Sequence, residues 1–388
     1  MPNVNHDGFE HRLALIKAIL QEYGLQSTEI HPIAYEEDCP FQYNNFIYKI
    51  KLSKPATESS FLSAPSYTVK PPLTGVSTLV LRLSNPQAMG LNQTNRVQNE
   101  VAAMKIARDG LRTFRSGLEV LVPAIYARKI PSSSEDTPGF GWIMMEYKSG
   151  VPLDEYFVGL PTTMKKDILE QIADTIAGIE GSQLPLKVDQ FGGLTIGKEG
   201  IISGEMTTIQ GGPWKTYEAW WQDRLRDQLK SADKSPVLEG WRPGGKLRDR
   251  IEDFIAYEIS SIFTQAGVDS SKRVLIHGDF TMNNMLVDPD TNQLTAVLDF
   301  DFSHIGPPAH LFFTVLQSLG TSADPTGGKL TEVQGLETLN QLAELERLIC
   351  PFRLAVPIFI EKKTKEELAQ ARLLAEQALV NQLGLWGY

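Results

Sequence analysis

Between residues 274 and 308 the chain reads VLIHGDFTMNNMLVDPDTNQLTAVLDFDFSHIGPP, and Asp279, Asn284 and Asp299 within it carry side-chain oxygens in a spacing that could do chemistry. An apolar run leads into a tight His277-Gly278-Asp279 turn. Asn284 opens one strand of an expected hairpin, and Asp299 directly follows the other. A hairpin returns its ends to one place, so Asn284 and Asp299 are expected to be neighbours. Phosphoryl transfer needs few parts: a carboxylate near an acceptor hydroxyl, and oxygen ligands that hold Mg²⁺ on the phosphates. Mg²⁺ takes hard oxygen donors, usually one or two from the protein. The three residues meet that need by type and by inferred position.

The pattern His-x-Asp-x-x-x-x-Asn, followed by an Asp after a β-turn, is that of kinase catalytic loops. The stretch resembles the aminoglycoside phosphotransferase and choline kinase branch of the kinase-like fold, in a divergent form common in fungi. The matching elements are His277-Gly278-Asp279-Phe280, Asn284-Met285-Leu286 and Leu298-Asp299-Phe300-Asp301, with Gly306-Pro307-Pro308 as the next turn. The resemblance implies Asp279 as catalytic base, weak at an ordinary pKa near ~3.9, orienting the hydroxyl and accepting its proton late. It implies His277 as a stiffener of the loop backbone, and Asn284 and Asp299 as metal ligands. It further implies a basic residue on the third strand that reaches the α/β-phosphates and pairs with a Glu on the next helix. Arg82 and Glu100 stand there, with a guanidinium fork in place of the commoner Lys. The strand ending at Tyr147 would be the hinge, where adenine meets the backbone at Glu146 and Lys148. Asp301 stays open between a surface or capping carboxylate and a second metal contact. Asn283 is out of register, and His304 and His310 read as structural.

Two features depart from the family pattern. The loop CPFQYNNF (39–46), which should cover the phosphates, has no glycine, whereas glycine lets backbone N–H groups approach phosphate closely. Ala309-His310-Leu311 stands where relatives place an Asp before Leu.

The elements that must position these residues are readable from periodicity. Residues 8–23 predict an amphipathic helix; 45–52 and 78–83 alternate as strands around a Ser/Pro/Thr-rich insertion. A helix is expected at 93–109 and strands near 119–127 and 141–147, split by PSSSEDTPG. After Gly150 helices dominate (162–180, 214–230, 246–266, 364–383), and the hairpin at 284–298 is the only strand pair expected in that half. The expected architecture is α+β: a two-lobed protein-kinase-like fold with a β-rich nucleotide-binding lobe, 1–147, containing a flexible insertion at about 53–77. A mainly helical catalytic lobe, 148–388, would complete it. Trp214, Tyr217, Trp220, Trp221 and Trp241 read either as walls of an acceptor pocket or as aromatic packing.

The 388 residues carry a net charge of −10, against a general nucleic-acid binder. Cys39 and Cys350 form no zinc pattern and read as free thiols. Neither an apolar leader nor a run of ~20 apolar residues is present, so the expectation is a cytoplasmic protein with no membrane partner. Taken together, ATP- and Mg²⁺-dependent transfer of the γ-phosphoryl group to a hydroxyl of a small molecule is expected. The run KVDQFGGLTIGKEGIISGEMTTIQGG lacks the carboxylates a polycationic antibiotic would need. The alternative is a regulatory or binding pseudokinase, favoured by the glycine-free loop, and a third reading is adenylyl transfer in the same cleft. Protein substrates are disfavoured because no Ala-Pro-Glu element follows Asp299.

Overall fold

The computed structural model describes residues 3–33, 39, 41–131, 139–242, 244–267, 269, 271–311 and 336–388. Pro40 of the expected phosphate loop and 132–138 of the polar loop before the hinge lie outside them. Contacts divide the chain into two compact units. The first holds Met1–Val188, Gly193–Thr208 and Val274–His304; the second holds Asp189–Gly192, Ile209–Arg273 and Ile305–Tyr388.

The first unit is built on a five-stranded antiparallel sheet of β1 (Ser27–Ile33), β2 (Asn45–Ala56), β3 (Val76–Ser84), β4 (Ile125–Lys129) and β5 (Trp142–Glu146), in the order β1-β2-β3-β5-β4. Phe46, Tyr48, Ile50 and Leu52 alternate onto the face that also carries Leu79, Leu81 and Leu83. They pack with Ile16, Ile19 and Leu20 of α1 (Phe9–Glu22). Burial of such side chains stabilises by roughly 1.5–3 kcal/mol each. β3 is central, and every residue from Leu79 to Ser84 is buried, so both faces of the sheet are covered there. Arg82 is thereby carried into the interior, where α2 (Arg96–Phe114) presents Asn99 and Glu100 among its buried residues.

Several elements differ from expectation. β1 is an addition: STEIHPI has no continuous apolar face, so alternation does not reveal it. The apolar run at 118–122 forms a 3₁₀ turn, and the strand begins only at Ile125. Within the insertion, Phe61 stacks on Tyr126 with centroids 5.6 Å apart, and Val69 N–H donates to Ile125 O at 2.7 Å.

Three pieces flank residues 274–308. β6 (Val151–Pro152) leads into α3 (Leu153–Val158) and then α4 (Thr162–Glu180). A second hairpin, β7 (Gly193–Gly197) with β8 (Gly200–Gly204), corrects the expectation of a single hairpin after Gly150; it turns at Gly197-Lys198-Glu199-Gly200. Side chains of α2 hold its backbone: Asn99 Oδ1 accepts from Leu194 N–H at 2.7 Å, and Asn95 Nδ2 donates to Leu194 O at 2.8 Å. The expected hairpin is β10 (Met285–Asp288) with β11 (Gln293–Val297), preceded by β9 (Val274–Ile276). α4 grips its turn through Gln171, whose Oε1 accepts from Leu294 N–H at 2.9 Å and whose Nε2 donates to Asn292 O at 3.0 Å.

The second unit is helical: α5 (Tyr217–Lys234), α6 (Lys246–Asp253) continuing through a π-turn into α7 (Ile259–Ala266), α8 (Leu336–Ile349) and α9 (Lys365–Gly384). A Thr364/Glu367 capping box starts α9. Among the described residues no helix is long and apolar enough to cross a membrane.

Candidate active site

β9 is buried at all three positions, so it enters the site as a fixed stalk. The turn that follows requires Gly278: its φ is +85°, and a Cβ there would lie 2.1 Å from Phe302 O. His277, fully buried, ties the loop together. Its Nδ1 accepts from Asp279 N–H at 3.3 Å while its Nε2 lies 3.0 Å from Leu298 O. An acceptor at Nδ1 and a carbonyl facing Nε2 leave only the neutral Nε2–H tautomer. Burial lowers its pKa to about 4, against the pull of the Leu298 carbonyl. One imidazole thus connects the backbone of Asp279 to the residue before Asp299. Ser303 Oγ closes the circuit by donating to His277 O at 3.0 Å.

Asn284 joins Asp279 directly, its Nδ2 donating to Asp279 O at 2.9 Å and to Asp279 Oδ2 at 2.8 Å. Leu298 N–H donates to Asn284 O at 2.8 Å, so the two ends of the β10–β11 hairpin meet. Both of these side-chain contacts are made through the Asn284 amide nitrogen. Asp299 takes the left-handed conformation, φ 60° and ψ 68°, rare for a residue with a Cβ. Its side chain reaches solvent though ringed by protein atoms. That surrounding desolvation, together with the Asp301 charge, raises its carboxyl above the usual range despite Arg82. Desolvation likewise raises Asp279, offset by the Asn284 hydrogen bond.

Behind these residues lies a dry charge cluster. Arg82 forms an ion pair with Glu100, and its Nη2 is 3.5 Å from Asp301 Oδ1; all three side chains are at most 4% exposed. Burial opposes the Arg82 charge, but Glu100, Asp301 and Asp299 hold its proton more firmly than usual. Burial raises the Glu100 carboxyl against the attraction of Arg82. Although no more than 4% exposed, Arg82 has no hydrogen bond on Nε or Nη1 among the described residues.

Asp301, open in the sequence between a surface or capping carboxylate and a second metal contact, is a buried carboxylate held by arginine. Arg96 holds it, with Nη2 at 2.5 Å from Oδ2 and Nε at 3.3 Å from Oδ1, and Asn45 Nδ2 donates to Oδ2 at 3.1 Å. Burial opposes its charge, yet Arg82 and Arg96 overcome this and keep the carboxyl below its ordinary range. Sequence reasoning missed Arg96, Asn99 and Asn45. The available signal was the i, i+3, i+4 row Arg96, Asn99 and Glu100, a polar stripe on a helix whose other faces are also buried.

At the end of β5, Glu146 N–H donates to Ala124 O at 2.8 Å, and its carboxylate accepts from Ala124 N–H at 3.0 Å. Lys148 Nζ sits 2.9 Å from Glu146 Oε1. The expected aromatic residues are packing residues: Trp214, Tyr217, Trp220, Trp221 and Trp241 are each no more than 7% exposed. His310 Nδ1 lies 2.6 Å from Tyr217 Oη, inside that cluster. Among the described residues no group of three or more His, Cys, Asp or Glu could hold a metal ion.

The solved ternary complex of streptomycin, ATP and APH(2″)-IIa is 12% identical, with a TM-score of 0.49 over 98% of this chain and 99% of that one. Aminoglycoside phosphotransferase APH(4)-Ia is 12% identical, with a TM-score of 0.44 over 96% and 99%. A GDP complex of an aminoglycoside 2′-phosphotransferase-IIIa variant is 14% identical, with a TM-score of 0.44 over 96% and 99%. No curated protein matches. The sequence profile of the phosphotransferase enzyme family matches residues 64–345, most of the chain and all of the stretch 274–308, on a fold of mixed helix and strand; this chain belongs to the phosphotransferase enzyme family.

Proposed function

We propose that this protein transfers the γ-phosphoryl group of ATP to a hydroxyl of a small molecule. Arg82 carries the reading: a buried guanidinium on the central strand, ion-paired to Glu100, still has two nitrogens without a hydrogen bond. A buried donor without a partner is costly, and a phosphate oxygen is the partner its planar fork suits. Asn284 and Asp299 would hold Mg²⁺, which when bound neutralises charge on the phosphate oxygens. Asp279 accepts the acceptor's proton. Its raised pKa improves it as a base, and the Asn284 and His277 contacts fix its place. The adenine is read by the Glu146 carbonyl and the backbone at Lys148. In this reading residues 1–147 bind nucleotide and 148–388 carry the catalytic loop and the acceptor side, and the work is positioning and charge stabilisation.

The test is product analysis with Mg·ATP and a panel of polyols, amino alcohols and sugars. Acceptor-dependent ADP release is expected, falling about 10²–10⁴-fold in Asp279→Asn with nucleotide binding kept. Pyrophosphate in place of ADP would mean adenylyl transfer, and full turnover by Asp279→Asn would remove Asp279 from the mechanism.

A further inference from the structure

The turn at residues 41–45 has no glycine, yet its backbone is fastened from two sides. From one side Asn5, 1% exposed, makes a paired contact: Nδ2 donates to Phe41 O at 2.7 Å and Oδ1 accepts from Tyr43 N–H at 2.7 Å. An amide that reads both a carbonyl and an N–H of one turn satisfies the backbone as a neighbouring strand would. Asn5 is itself held. Arg12 Nη2 donates to Asn5 O at 2.5 Å, and Asn3 Oδ1 accepts from Asn5 N–H at 2.8 Å. Arg12 is in turn fixed to β2 by Nε donating to Tyr48 Oη at 3.0 Å.

The other side is held from the end of β3 and the start of α2. Asn85 Nδ2 donates to Tyr43 O at 2.7 Å, and Arg96 Nη2 donates to Asn44 O and Asn45 Oδ1, both at 3.0 Å. Asn45 then reaches Asp301, two residues from Asp299, at 3.1 Å. The backbone of the turn is therefore held on both sides by protein groups alone, two residues from Asp299 through Asp301. A glycine-rich turn would bear its ordering entropy at the moment of binding; a turn ordered in advance does not.

We propose that Asn5 is a positioning residue for nucleotide: clamped by Asn3 and Arg12, it holds the glycine-free turn 41–45 in its binding shape, so that nucleotide affinity depends on the N-terminal segment. The inference rests on the phosphotransfer reading above. Asn5→Ala removes both contacts to the turn. Asn5→Asp keeps the acceptor for Tyr43 N–H and loses the donor to Phe41 O.

The experiment titrates Mg²⁺ and AMP-PNP into the full-length wild type and both variants, and follows amide exchange at 41–45 and the melting temperature. In Asn5→Ala the Kd rises about tenfold and the KM for ATP follows it, with kcat unchanged and faster exchange at Tyr43. Asn5→Asp falls between. Faster exchange at Tyr43 with an unchanged Kd would overturn the inference, as would a kcat that falls in step with loss of folded protein. Should Asn5→Ala fail to fold, Asn5→Asp is judged by the same criteria. A wild type that does not bind Mg·AMP-PNP would defeat the phosphotransfer reading itself and this inference with it. Normal wild-type binding beside unaffected variants would defeat this inference alone.

Discussion

Two buried polar clusters in this protein look alike in composition tables and differ in how they are satisfied. In the second unit, Trp214 Nε1 donates to Asp223 at 2.8 Å, Trp241 Nε1 donates to Ile349 O at 2.8 Å, and Tyr217 Oη meets His310 at 2.6 Å. These polar atoms are matched within the unit, and the rings around them stack edge to face, as Trp220 and Trp221 do at 5.2 Å. In the first unit, Arg82 is just as buried, yet two of its nitrogens lack hydrogen bonds. The named polar atoms of the aromatic cluster find partners inside their own unit, whereas Arg82 keeps Nε and Nη1 without a hydrogen bond among the described residues. Buried polar atoms therefore inform about function through the partners they lack rather than through their burial.

Mutation separates the two clusters most sharply. Arg82→Met strands Glu100 in the interior and should cost about 3–5 kcal/mol of stability, and the protein that remains folded should lose Mg·AMP-PNP affinity. Trp220→Ala should cost a similar ~3–5 kcal/mol through its cavity, with nucleotide affinity of the folded protein unchanged. Denaturant titration paired with calorimetry reads both quantities. Equal loss of affinity in the two variants would erase the distinction.

A smaller effect, in pH, sharpens the role of His277. Its pKa is about 4 in the folded chain and near ~6.5 when unfolded, so the unfolded state binds more protons between those values. Its neutral burial costs nothing above about pH 6.5, and stability is lost as pH falls from there toward 4, by up to ~3 kcal/mol. The urea midpoint of wild type should therefore fall more steeply across this window than that of His277→Gln. Parallel curves would mean that the imidazole titrates normally.

What the sequence discloses follows the range of the interactions. Asp279, Asn284 and the residues before Asp299 are brought together by one turn and one hairpin, so spacing alone predicts their meeting. The Arg82–Glu100 pairing came with the family resemblance, since a lone Arg on a strand carries no signal of its own. Arg96 and Asp301 lie 205 residues apart, and no local pattern joins them. β1 was hidden because none of its residues is fully buried, so no apolar face alternates along it. The β7–β8 hairpin was missed, although glycines stand at both ends of its turn, Gly197-Lys198-Glu199-Gly200. The Asn5 clamp depends on one amide reading a turn 36 residues away, which no periodicity encodes.

The central claim is that the Arg82–Asp299 region is a nucleotide site that works with Mg²⁺. Calorimetric titration with AMP-PNP, with and without Mg²⁺, beside Asp299→Ala tests it most directly. The account predicts binding that strengthens with Mg²⁺ in the wild type and loses that Mg²⁺ dependence in the variant. Binding that ignores Mg²⁺, or that Asp299→Ala leaves intact, would contradict it.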